Sequence, residues 1–256
     1  TMELGLKGKT AIITGGGAGI GAAMCETFAE EGTNVVIADF RPIEDTIMYA
    51  ESLEKRYDIQ ALPLKIDVSR PEDVRHLFDE TIRKFGTADI LMNNAGKMGL
   101  NRIEDITVEE LRKFEAVNIE GLFLMSQAMV KLHREQKRTK SWIVNTISKS
   151  AFSTNSGGNS PYIATKGAAA AFTRGLATEV GREGIYVNGI VPGYVVTETT
   201  KNIPNAQKRS EAMTKIIPVG READPKEIAD VAVFLCSEKA CQVMGVLMDV
   251  TGGTML

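Results

Sequence analysis

The feature that most restricts the fold of this chain is a run of glycines between two short apolar stretches near its start. Thr10-Ala-Ile-Ile-Thr14 is apolar and rich in β-branched residues, the pattern of a buried strand. It passes into Gly15-Gly-Gly-Ala-Gly-Ile-Gly21 and then into a helical stretch from Ala22 that ends at Gly32. Thr33-Asn-Val-Val-Ile-Ala-Asp39 reads as a second strand. Strand, glycine turn, helix and strand within about 30 residues make a β-α-β unit, the context in which a glycine-rich loop signals dinucleotide binding. Gly15 permits the tight turn, while Gly19 and Gly21 let backbone approach a pyrophosphate and let the helix pack on its sheet. The helix N-terminal amides, starting near Ile20, then face the phosphates.

Asp39 ends the second strand, 18 residues after Gly21. A carboxylate there accepts hydrogen bonds from both ribose hydroxyls of an adenosine and repels a 2′-phosphate. No basic residue lies among Gly15 to Gly17, so the pattern points to NAD over NADP, with Arg41 the one basic neighbour working against it.

The rhythm continues with a strand over Ile59–Ile66, a helix over Pro71–Phe85 and a strand over Ala88–Met92. Strands alternating with amphipathic helices throughout predict an α/β fold, one doubly wound parallel sheet in a single domain spanning 1–256. Asp67 and Val68 follow the third strand, at the crevice that would hold an adenine, and Ser69 is better placed than Asp67 to cap the helix opened by Pro71. Asn93-Asn94-Ala95-Gly96 leaves the fourth strand; its small and amide side chains suit a flat ligand, though a plain turn explains them almost as well. Glu109–Lys140 reads as two helical stretches meeting near Asn118, where an amide bonded to backbone would kink the helix. Strand Trp142–Ser148 delivers Ser148 to the carboxyl edge of the sheet.

A helix running to about Arg182 carries Tyr162 and Lys166 one turn apart. A phenol of ordinary pKa about 10 is a poor proton carrier at neutral pH, and an ammonium one turn away favours the phenolate. The pair is a plausible acid/base unit. After a strand over Ile185–Val191, residues 198–217 are polar and irregular, a candidate lid over the crevice. Asp224 and Pro225 open a further helix as N-cap and N1, and Val246–Val250 forms a last strand.

Composition narrows the partners. The formal charge of −3 shows no basic excess, which argues against nucleic acid. No apolar run approaches about 18 residues, so no membrane span is expected. Three cysteines without a C-x-x-C pattern, and no apolar leader, read as a reduced, cytoplasmic protein. Two histidines in charged helical stretches make a metal site improbable.

With Thr14 to Gly21, Asp39, Asp67-Val68, Asn93 to Gly96, Asn118, Ser148, Tyr162-Ile-Ala-Thr-Lys166, Val187-Asn188 and Pro192-Gly193 through Thr197 in this order and spacing, the chain resembles the classical short-chain dehydrogenases/reductases over essentially its full length. The resemblance implies a seven-stranded Rossmann fold and hydride transfer between a nicotinamide dinucleotide and an alcohol/carbonyl pair. It implies Tyr162 as proton donor or acceptor, Ser148 on the substrate oxygen, and Lys166 on the nicotinamide ribose, lowering the tyrosine pKa. Asn118 would hold a water linking Lys166 to bulk. Val195 and Thr197 would contact the nicotinamide amide and phosphate, completing a cofactor set of Gly15, Gly19, Ile20, Gly21, Asp39, Asp67, Val68, Asn94, Tyr162 and Lys166. A homo-oligomer, in particular a tetramer, is also implied.

Many relatives place the serine 13 residues before the tyrosine, whereas Ser148 stands 14 before Tyr162 and Lys149 fills the intervening slot. Matching from the strand side selects Ser148, with Ser150 the runner-up. Pocket-lining positions by resemblance are Lys97, Lys149, Tyr194 and the 198–217 segment. Two lysines at the mouth could bind an anionic substrate group, against the plainer reading of two solvated surface side chains. The polar run Ser153–Asn159 leans towards a sugar or polyol. The expected activity is therefore hydride transfer between NAD(H) and a secondary alcohol or ketone, including a sugar, polyol or small anionic hydroxy compound. The rivals are a 3-oxoacyl-(acyl carrier protein) reductase and, of another class, a catalytically silent NAD-binding sensor or scaffold.

Overall fold

Parallel pairing begins with the strands flanking the glycine turn: β1 (Thr10–Thr14) lies beside β2 (Asn34–Asp39), with Thr10 opposite Asn34 and Thr14 opposite Ala38. The crossover is α1 (Gly19–Glu30). The computed structural model describes residues 3–99, 102–152, 159–202 and 205–256, Thr199 by its backbone alone. The run 153–158, read from sequence as favouring a polyol, lies outside them.

Across these residues the chain continues through α2 (Ile43–Arg56), β3 (Ala61–Lys65), α3 (Pro71–Phe85) and β4 (Ile90–Asn93). Then follow α4 (Val108–Glu115), a π-helical turn over Ala116–Gly121, α5 (Leu122–Glu135), β5 (Ser141–Thr146) and α6 (Ser160–Val180). The last third holds β6 (Ile185–Pro192), α7 (Glu198–Lys201), α8 (Ala206–Ile216), α9 (Pro225–Leu235) and β7 (Leu247–Val250). The strands form one seven-stranded sheet in the order β3-β2-β1-β4-β5-β6-β7, every pair parallel. The order reverses between β1 and β4, so the residues leaving those two strands, Gly15 and Asn94, face each other across the crevice where such sheets bind ligands.

All of β1 and β4 is buried, as expected of strands covered on both faces. One core layer packs Met24, Phe28 and Leu53 against Ile13 and Ile37 with Ile228 and Val233 of α9. The other packs Val74, Leu77, Met125 and Met129 against Ile12, Leu91 and Ile143.

Local signals decide several boundaries. Pro71 opens α3 and Gly86, at φ +76°, ends it in the left-handed conformation. Asp224 caps α9, its side chain accepting from the Lys226 N–H, with Glu227 completing a capping box. Other expectations are corrected. Residues 198–217 are mostly helical, because Thr197 caps α7 and α8 follows after Asn205. Ser69 does not cap α3: Asp67 Oδ1 accepts from both its N–H at 3.0 Å and its hydroxyl at 2.6 Å. The helix around Asn118 widens into a π turn instead of kinking on its own backbone.

Candidate active site

The glycine turn comes first. Gly19 has φ +53°, where a side chain would be strained, and a Cβ on Gly21 would lie 2.0 Å from the Gly15 carbonyl oxygen, so no other residue fits there. Ala18 cannot cap α1 and its first turn carries no acidic side chain, which leaves the helix N-terminal amides for an anion. Asn94 staples the turn to β4, its amide donating to the Thr14 and Gly15 carbonyls at 3.1 and 3.3 Å. At the end of β2, buried Asp39 accepts the Gly17 N–H on Oδ2 at 2.7 Å and the Arg41 N–H on Oδ1 at 2.9 Å. Its charge is therefore fixed in place. Arg41 Nε stands 3.9 Å from the same Oδ1. An uncapped helix N-terminus beside an anchored carboxylate fits the pyrophosphate and adenosine ribose of a dinucleotide.

β5 and α6 bring up the reacting groups. Tyr162 and Lys166 lie in the first turns of α6, and Lys166 Nζ donates to the Thr146 carbonyl at 2.8 Å, 5.9 Å from the Tyr162 ring centroid. Burial lowers the Lys166 pKa to about 8. Burial raises that of Tyr162, opposed in part by a hydrogen bond with the Ser148 hydroxyl. In the protein alone, burial sets the direction of the Tyr162 shift, contrary to the expectation from spacing. Ser148 is buried and heads the short 3-10 turn Lys149–Ala151, its Oγ accepting from the Ser150 N–H at 3.2 Å.

Asn118 sits inside the π turn, which aims its amide at the exit of β4. It accepts the Lys97 N–H at 2.8 Å and donates to the Lys97 carbonyl and the Thr165 hydroxyl, both at 2.9 Å. A cavity of ≈ 10 Å³ lies between Asn118, Lys166, Thr146, Asn93 and Val68, at the lower limit for one water molecule.

The Lys166 environment predicts a pH-dependent stability. The folded-state pKa is depressed, so below about pH 8 the side chain is charged in both states and the fold carries the full cost of burying it. Between 8 and 10.5 the unfolded chain binds more protons and that cost fades as pH rises. Lys166→Met should therefore stabilise the protein relative to wild type by up to about 3 kcal/mol more at pH 7 than at pH 10.5. Denaturant unfolding of both proteins at the two pH values measures it.

Beside these groups opens a cavity of ≈ 430 Å³ whose wall includes Ile20, Ser148, Lys149, Tyr162, Lys166 and Tyr194. Val195 and Thr197 also reach it, tied back by pairing of Val195 with Ala223 and by the Thr197–Thr200 cap. Lys149 Nζ stands 3.9 Å from the Tyr194 ring centroid. Lys97 lies between two residues of this wall, Gly96 and Met98; its backbone holds Asn118, and its ammonium lies 6.0 Å from the Phe114 ring of α4. Asp67 is tied up with Ser69 at the exit of β3. Arg209 and Met213 of α8, within the 198–217 segment expected at the pocket but not singled out in it, also line the cavity, as does Glu222, which lies outside that segment and was missed. Only the tertiary placement of α8 brings them there.

Comparison with known proteins agrees with this geometry. A family model described as enoyl-(acyl carrier protein) reductase matches residues 15–255. The chain is 32% identical over 251 residues to the 7alpha-hydroxysteroid dehydrogenase of Escherichia coli, covering 98% of this chain and 96% of that one. The structure of L-sorbose reductase from Gluconobacter frateurii, complexed with NADPH and L-sorbose, superposes with a TM-score of 0.91 at 31% identity, covering 99% of each chain. The 3-ketoacyl-(acyl-carrier-protein) reductase of Brucella melitensis, complexed with NADH, gives 0.88 at 31% identity, covering 98% of this chain and all of that one. The chain belongs to the short-chain dehydrogenase/reductase family and is an oxidoreductase acting on the secondary alcohol/ketone pair. Among the described residues no helix is long and apolar enough to cross a membrane.

Proposed function

We propose that this chain interconverts a secondary alcohol and its ketone with NAD(H) as the hydride partner and Tyr162 as the proton carrier. The observation that carries this reading is a single cavity wall that includes Ser148, Tyr162 and Lys166 together with Ile20 of the uncapped helix. The nicotinamide supplies the hydride acceptor or donor when bound. Tyr162 takes the hydroxyl proton in oxidation and returns it in reduction. The Ser148 hydroxyl donates to the substrate oxygen and stabilises the charge that develops there. Lys166 holds the nicotinamide ribose, and its charge helps the phenolate against the burial that disfavours it. Asn118 keeps a water in the small cavity beside Lys166, a route for the proton to bulk.

Asp39 supports NAD. Its carboxylate cannot turn away from a ribose without losing two backbone hydrogen bonds. The relatives differ on this point, one carrying NADPH and another NADH, so this chain's own residue is the better guide. Asp67, Val68 and Asn94 would flank the adenine side, and Val195 with Thr197 the nicotinamide. A hydroxylated substrate is supported by the polar side chains of Asn94, Ser148 and Asn159 in the same cavity wall. A 3-oxoacyl-(acyl carrier protein) reductase is the second reading, favoured by the Brucella likeness. Reduction of an acetoacetyl thioester with NADPH faster than oxidation of any polyol with NAD would select it. A cytoplasmic homotetramer belongs to the same proposal and rests on the family resemblance.

Replacement of the two candidate serines tests the constellation. Ser148→Ala should lower kcat by about 10²–10³-fold, as for loss of one oxyanion-type donor, and Ser150→Ala by less than a tenth of that factor. The reverse ranking moves the catalytic slot to Ser150.

A further inference from the structure

Resting on the dehydrogenase reading above, we propose that the cavity takes an anionic group of the substrate (a carboxylate, sulfonate or phosphate) between Lys149 and Arg209 at its Tyr194 end. Three separate elements converge there. Lys149 comes from the turn after β5, Tyr194 from the exit of β6, and Arg209 from the middle of α8. All three line the cavity that also holds Ser148 and Tyr162. Lys149 Nζ is 3.9 Å from the Tyr194 ring centroid and Arg209 Cζ is 6.0 Å from it, so both cations sit on one aromatic side chain.

Two like charges gathered on one ring repel each other, and the ring offsets only part of that cost. Among the described residues no carboxylate oxygen comes within 4.0 Å of either side-chain nitrogen set. Glu222, the acidic residue in the same wall, instead accepts the Ser210 hydroxyl. The cations are thus held by an aromatic face and by partial burial, with their N–H groups left to a ligand. Arg209 offers a planar fork that an oxyanion can meet with two hydrogen bonds, and Lys149 adds a point charge beside it. An anion bridging them would also tie α8 to the scaffold beneath. The pair differs from the one suggested by sequence, because Lys97 faces Phe114 and Arg209 takes its place.

The test is a panel of secondary hydroxy acids, hydroxy sulfonates and hydroxy phosphates of three to six carbons, each beside a neutral methyl ester or amide of the same skeleton, with NAD as oxidant. At least one anionic member should exceed its neutral partner in kcat/KM by about tenfold or more, the scale of a charge-assisted hydrogen bond. Arg209→Gln and Lys149→Gln should each raise KM for the anion with kcat less affected, shrinking the anion-to-neutral ratio, and Arg209→Lys should restore part of it. Neutral partners turned over as well as every anion, or both losing equally in the variants, would overturn the proposal. If no alcohol at all is oxidised, the dehydrogenase reading falls, and calorimetric titration of the same pairs into the NADH-loaded protein decides the anion site alone. Binding of an anion that its neutral partner lacks, and that Arg209→Gln abolishes, supports it; equal binding or none rejects it.

Discussion

Tyr162→Phe should lower kcat by about 10³-fold or more while leaving the NADH dissociation constant within a factor of three, because the change removes a proton carrier and little else. The ring stays the same size at the start of α6, and the hydroxyl's partner is Ser148, so the helix and the fold lose no buried contact beyond that bond. Tyr162 is also the titrating group that should shape the pH profile. Burial holds its pKa above the ordinary phenol, so oxidation should speed up with rising pH in the wild type until the phenolate is fully formed. That limb should vanish in the variant. Steady-state turnover from pH 6 to 11, with fluorescence titration of NADH, measures both. An unchanged limb in Tyr162→Phe would mean another group carries the proton.

The second large effect lies at the far end of the crevice. Asp39→Ser should reduce kcat/KM with NAD by about a hundredfold and raise it with NADP, since two charge-assisted hydrogen bonds to the ribose are lost along with the repulsion of a 2′-phosphate. The neighbouring arginine sharpens the prediction. Arg41 now faces the Asp39 carboxylate with Nε at 3.9 Å, and removing that carboxylate frees it to meet the phosphate. Asp39→Ser with Arg41→Ala should therefore regain less NADP activity than Asp39→Ser alone. Specificity constants for both cofactors, at saturating alcohol, give the answer.

What could be read from sequence was read where a local cause sufficed. The glycine turn, the aspartate ending β2 and the ends of α3 depend on backbone sterics and caps within a few residues, and they stand where expected. So does the Asp224 cap of α9. α2 drew no prediction because Leu53 is the one large apolar side chain among its buried residues, the others being Thr46 and Ala50, too little for an apolar stripe. The 198–217 segment looked irregular because α7 is only four residues long and is built around threonines, which are poor helix formers, with a Thr197 cap completed by Thr200 in place of the usual Glu or Gln. The site divides the same way. Motif order pointed to Ser148, Tyr162, Lys166 and Asn118, and the fold places the first three in one cavity wall and Asn118 beside Lys166 in the smaller cavity, but the sign of the Tyr162 shift depends on burial in the folded site. The choice of Arg209 over Lys97 as the partner of Lys149 has a related cause. Which cation enters the cavity depends on whether Phe114 or Tyr194 lies within its reach, and neither ring is near it in sequence.

The most direct measurement is steady-state oxidation of a panel of secondary alcohols, polyols and hydroxy acids by the purified protein, with NAD and NADP compared at equal concentration. Turnover with at least one member, a higher kcat/KM with NAD than with NADP, and its loss in Tyr162→Phe are what the site predicts. Tight NADH binding with no turnover of any alcohol or ketone in either direction would contradict it and leave a dinucleotide-binding scaffold in place of an enzyme.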